Sequence, residues 1–135
     1  MRTDRCTPAT AQSRLARAIE FFESAEDQRR DHPERVNTWA TLYVMAGIAA
    51  ADVICCTALG RHHQGDNHTE AITLLKKVEP DGEVLGAALG VLLGMKTRAG
   101  YGEDPLPANE KARAPRRARQ LLEAARQREP GHRRA

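Results

Sequence analysis

Three histidines and one carboxylate are the side chains of this sequence whose placement raises a question of chemistry. His62, His63 and His68 fall within seven residues of one another. Imidazoles gathered in this way can ligate a metal or move protons, but zinc ligands recur at helical or finger spacings, with cysteines near them. The spacing here matches neither, so no metal is expected and the segment reads as a polar surface loop. His68 lies one turn ahead of the apolar Leu74 and Leu75 and is suited to cap or pack at the start of a helix. Asp52 is the single charge in a nearly apolar run, residues 38–59. A carboxylate there must face water, find a cation or shift its pKa. Two readings stay open: a solvent-facing edge, or a pair with Lys96 or Arg98. In the second, cations beside a carboxylate make a pocket that can hold a phosphate.

Other sources of chemistry are thin. The chain has no glycine-rich phosphate loop, no GxSxG elbow and no HExxH, and no cofactor is expected. Its cysteines are Cys6, Cys55 and Cys56, an odd count with one adjacent pair and no CxxC spacing. That pattern is not a disulfide framework. With the polar start MRTDRC it points to a reducing cytoplasm, where Cys55 and Cys56 pack as small apolar side chains. Charge is uneven. Residues 110–135 carry nine Lys or Arg against three acids, a net of +6 that leaves −3 for the rest of a chain whose formal charge is +3. Arg113, Arg116, Arg117 and Arg119 are therefore candidates for binding nucleic acid or an acidic partner. The alternative is a solvated helix face, favoured by the lack of interleaved aromatics on which bases could stack.

The elements that must position these groups read as helices. Alanine and leucine dominate, aromatics make up only 4% of the chain, and apolar residues never alternate over a long run, so helix is favoured over sheet. A first helix is expected at residues 8–29, capped by Thr7, with Ala11, Leu15, Ala18, Ile19, Phe22 and Ala25 on one face. A second spans 33–59 and stops at Gly60. It is long enough to cross a bilayer, but Asp52 near its middle makes a buried central helix the better account, with no membrane involved. Trp39, Tyr43, Ala46, Ala50, Val53 and Ile54 supply its main face. Asp66 or Asn67 caps a third helix at 68–78, and a turn at 79–82 leads to a fourth at 83–98. Gly86, Gly90 and Gly94 recur every four residues on that helix and invite close backbone approach, either by residues 49–51 or by a second copy of the chain. Residues 99–109 are expected to be loop, and a last helix runs to 128, with Pro115 either kinking it or opening it. The fold class is thus all-α, an up-and-down bundle of four to five helices. One domain covers residues 1–129, and 130–135 form a disordered basic tail.

The order of segments resembles a known family. AGIAAADVICCTALG (residues 46–60), GDNHTEAITLL (65–75), GMKTRAGYGEDPL (94–106) and ARQLLEAA (118–125) are similar to the helices and short signatures of bacterial HEPN domains (higher eukaryotes and prokaryotes nucleotide-binding). The resemblance covers roughly residues 13–128. It implies a four- or five-helix bundle, a homodimer, and often a neighbouring nucleotidyltransferase as protein partner. Many members are metal-independent ribonucleases that act as toxins or defence effectors. They carry an arginine late in the bundle followed by a histidine, and a second branch carries arginine, two residues, then alanine, aspartate and tyrosine. Here Lys96 stands for that arginine, and Ala99, Gly100 and Tyr101 stand for the last three, with Arg98 available in a shifted frame.

No histidine follows. Gly102, Glu103 and Asp104 come after Tyr101. A metal-independent ribonuclease needs one group to move protons and another to stabilise the charged phosphorane. Lys96 or Arg98 suits the second task, while the first falls to Tyr101, Glu103 or a distant histidine. The resemblance therefore implies a HEPN-like binding module with a degenerate motif, engaging RNA or a protein partner in a toxin–antitoxin or defence setting. Lys96, Arg98 and Tyr101 are its candidate site residues, supported by Asp52 and His68. Two other functions remain open: an active endoribonuclease using the same residues, and a helical adaptor with no nucleic-acid role.

Overall fold

A computed structural model describes residues 1–128. Thr7 begins the first helix, α1 (Pro8–Asp31), by accepting a hydrogen bond at 3.1 Å from the Thr10 N–H, and Pro8 occupies the first turn, where its missing N–H costs nothing. The helix buries Ala11, Leu15, Ala18, Phe22 and Ala25 of the expected stripe, and Ile19 packs against the core partly buried. Helix α2 (Val36–Leu59) follows. Gly60 closes it in the left-handed conformation (φ 76°), returning its N–H to the Cys56 carbonyl at 3.0 Å. The Asn67 side chain caps α3 (His68–Lys76) by accepting from the Glu70 N–H at 3.0 Å. Helices α4 (Gly82–Tyr101) and α5 (Ala108–Arg128) complete the bundle.

Helix α2 is the centre. It packs against α1, α4 and α5, and every residue expected on its main face is buried. Its length and mean hydropathy of 1.9 would suit a membrane span, but most of that window is covered by the rest of the bundle. Tyr43 meets Phe22 and Trp39 edge-on, with ring centroids 5.6 and 6.1 Å apart. The chain is mostly helical, in keeping with an all-α class.

Several expectations change. The polar loop after Gly60 contains a strand, β2 (Arg61–His63), which pairs antiparallel with a strand at the chain start, β1 (Thr3–Arg5). Asp4 lies opposite His62, and the pairing continues through Gln64 N–H to the Arg2 carbonyl at 2.9 Å and Cys6 N–H to the Gly60 carbonyl at 3.0 Å. Three-residue strands are too short to show a period in sequence. The cysteines also differ from expectation: Cys6 and Cys56 form a disulfide, and only Cys55 packs as a buried free thiol. The cysteine argument for a reducing compartment is thereby withdrawn.

Helix α4 runs on through Gly100 and Tyr101, where loop was expected. Ala99 is buried on its inner side and holds that last turn against the bundle. Pro115 neither opens nor ends α5 but sits buried within it, forgoing one main-chain bond to the turn before. The glycine stripe does serve an intramolecular approach, though to α3 rather than to residues 49–51. A Cβ on Gly86 would lie 2.4 Å from Lys76 Cγ, and one on Gly90 would lie 3.6 Å from Ile72 Cδ1. Gly94 faces open space. The tail assigned to residues 130–135 lies outside the described residues.

Candidate functional site

The β-ribbon, the second half of α2, the start of α3 and the inner face of α4 enclose a cleft of about 340 Å³. Its floor is apolar, made by Met45, Ile48, Leu89 and Leu93, and its polar groups include Arg14, Asp52, His62, His63, His68 and Lys96. Local structure explains each position. Arg14 lies off the apolar stripe of α1 and reaches across to α2. Asp52 stands on a mostly covered face of α2, with its side chain 16% exposed. Pairing of β2 with β1 turns His62 inward, where it is only 4% exposed.

Arg14 Nη1 donates to Asp52 Oδ2 at 2.8 Å. The partner of the carboxylate is thus on α1, and neither Lys96 nor Arg98 takes that part. Burial pushes the Asp52 carboxyl above the usual carboxylate range, outweighing the pull of the neighbouring cations, Arg14 among them. Burial, with the charge of Asp52 behind it, likewise pushes the Cys55 thiol up to about 12, so this side chain on the cleft wall stays protonated and unreactive.

His62 has a defined orientation. Its Nδ1 lies 2.9 Å from the His63 carbonyl oxygen. A carbonyl only accepts, so Nδ1 carries the hydrogen, and Nε2 is directed toward Arg14 Nη2, a long contact of 3.5 Å. His63 Nε2 approaches Glu70 Oε1 at 3.4 Å. Among the described residues no group of three or more His, Cys, Asp or Glu side chains is arranged to hold a metal ion.

The expected site residues do not all converge. Lys96 lines the cleft with Asp52 and His68, and it also borders a neighbouring groove formed by Leu42, Val44, Ala99 and Tyr101. Tyr101 itself is 85% exposed. Arg98 points to α5, where it forms an ion pair with Glu110. The four candidate arginines of α5 separate as well. Arg119 is held by Glu26 at 3.1 Å and lies over the Phe22 ring, 5.0 Å from its centroid. Arg117 is partly buried and bonds Gln120 at 3.2 Å, whereas Arg113 and Arg116 are exposed.

Arg14 and His62 were not foreseen as site residues. The only signal for Arg14 was a basic side chain off the apolar stripe of α1, and His62 required knowledge of the ribbon.

The chain matches no family model and no curated protein.

Proposed function

We propose that this chain is a cytoplasmic, HEPN-like helical binding module with a degenerate catalytic motif, and that it engages single-stranded RNA at the mouth of the cleft beside Lys96. One observation carries the reading. Of the three residues standing at the family motif, only Lys96 faces the cleft. Arg98 is tied to Glu110, and Tyr101 turns outward. A constellation built for catalysis has its members within reach of one reacting group; a binding surface needs only a cation beside a shaped, partly apolar cleft. A homodimer, or a complex with a nucleotidyltransferase-type protein in a toxin–antitoxin or defence setting, is the assembly this reading entails.

Titration of a single-stranded RNA against rising salt tests it. Binding that weakens steeply with salt, drops on Lys96→Ala, and leaves the RNA uncut supports the module. No binding at low salt supports the adaptor reading instead.

A second reading is favoured by His62. The ring lies in the same cleft as Lys96, with Nδ1 held by the His63 carbonyl, and its Nε2 is the proton acceptor that the motif lacks. In an active endoribonuclease, Nε2 would take the proton of a ribose 2′-hydroxyl, the freed oxygen would attack the adjacent phosphorus, and Lys96 would stabilise the phosphorane while the 5′-oxygen departs with a proton from water. Growth arrest on expression, relieved by both Lys96→Ala and His62→Gln, would establish this reading over the first.

A further inference from the structure

The disulfide sits where it controls one wall of the cleft. Cys56 is in the last turn of α2 and Cys6 immediately follows β1, so a single covalent bond ties the strand to the bundle. Apart from that bond, β1 is held by a three-residue pairing with β2 and the two flanking main-chain bonds at Cys6 and Gln64. A two-stranded ribbon this short has little stability of its own. The same ribbon shapes the site: Asp4 and His62 are cross-strand neighbours, and both line the cleft. Strand β2 has a second support because it rests against α2 and α3, whereas β1 has no comparable packing against a helix.

We propose that the Cys6–Cys56 bond is a redox latch that opens and closes this wall, with the bundle itself unchanged. Cys6 is the more exposed partner, which makes its Sγ the point of attack. A dithiol adds to Cys6 Sγ, Cys56 leaves as a thiolate and takes a proton, and the second thiol of the reductant displaces Cys6. The products are two cysteine thiols and one oxidised dithiol, and the reverse exchange closes the latch. In the reduced chain β1 detaches, the outer edge of β2 is freed, and the covered ring of His62 comes within reach of solvent. The inference does not depend on what the cleft binds.

Amide hydrogen exchange on the oxidised chain, on the chain reduced with dithiothreitol and on Cys6→Ser tests the latch. Reduction should lower protection about tenfold at the amides of β1 and β2 while the core amides of α2 and α5 hold theirs. Diethyl pyrocarbonate should modify His62 about tenfold faster in the reduced form, as expected when a local opening exposes a covered side chain. Cys6→Ser should match the reduced form under both conditions, and Cys55→Ala should retain the switch. Three results would overturn the proposal: equal ribbon protection in both forms, protection lost together across the whole chain, or an oxidised protein whose mass shows Cys6 and Cys56 both still as thiols.

Discussion

Arg14 on α1 and Asp52 on α2 are joined by a 2.8 Å ion pair whose members are only 30% and 16% exposed, and this pair forms the charged border of the cleft. Replacing Arg14 with methionine keeps much of the stem but leaves the carboxylate partly buried without its cation. Stability should fall by about 1–3 kcal/mol, below the usual figure for a fully buried pair because water still reaches both groups. Urea denaturation of Arg14→Met and of Arg14→Met/Asp52→Leu checks this. The double variant should regain most of the loss, since the stranded charge is gone.

The raised pKa of Asp52 gives a pH signature with a definite sign. A carboxyl whose folded pKa lies above its unfolded one contributes stability that is present below the unfolded value and is lost as pH rises through the folded value. Asp52→Asn removes that dependence. The stability of the variant relative to the parent should therefore increase from acidic pH upward through and beyond the ordinary carboxylate range. A difference that is flat with pH, or that falls, would contradict the burial argument.

Glu26, Tyr43, Arg29 and Arg119 link α1, α2 and α5. Tyr43 Oη donates to Glu26 Oε2 and accepts from Arg29 Nε at 2.9 Å, while Arg119 reaches Glu26 Oε1 at 3.1 Å. Burial and the hydrogen bond to Glu26 push the Tyr43 hydroxyl up to about 12. Tyr43→Phe should cost about 1–2 kcal/mol, because it strips a partner from two charged groups at once. Arg119→Ala should likewise lower the melting temperature, while Arg113→Ala and Arg116→Ala, at exposed positions, leave it unchanged. Thermal melts of the three arginine variants check this.

Two glycines should respond oppositely to alanine. On Gly47 a Cβ would lie 2.3 Å from Leu92 Cδ1 and 3.3 Å from Leu121 Cδ1, at the crossing of α2 with α4 and α5. Gly47→Ala should destabilise by about 1–3 kcal/mol through overpacking. Nothing approaches a Cβ on Gly94, and Gly94→Ala should stabilise α4 by up to about 1 kcal/mol. Calorimetry on both variants decides the matter.

How much of this was legible in the sequence follows from range. Caps and stripes are local, so Thr7, Asn67, Gly60 and the α1 face could be read from a few neighbouring residues. The centrality of α2 followed from an apolar run with one charge. The partner of that charge could not be read: Arg14 and Asp52 are 38 residues apart, and nothing in either segment names the other. The ribbon was hidden for the same reason, and with it the disulfide across 50 residues and the inward turn of His62. The α3–α4 approach was half legible. Glycine spacing announced a close contact, but only the turn at Pro80 and Asp81 decides which helix folds back onto it.

Neighbouring residues on a helix point about 100° apart, and α2 uses that step at Cys55 and Cys56. One sulfur faces the cleft, while the next anchors the beginning of the chain. Strand β1 is consequently moored within a turn of Asp52, so a reporter group carried on that strand would ride beside the cleft and sense its occupancy.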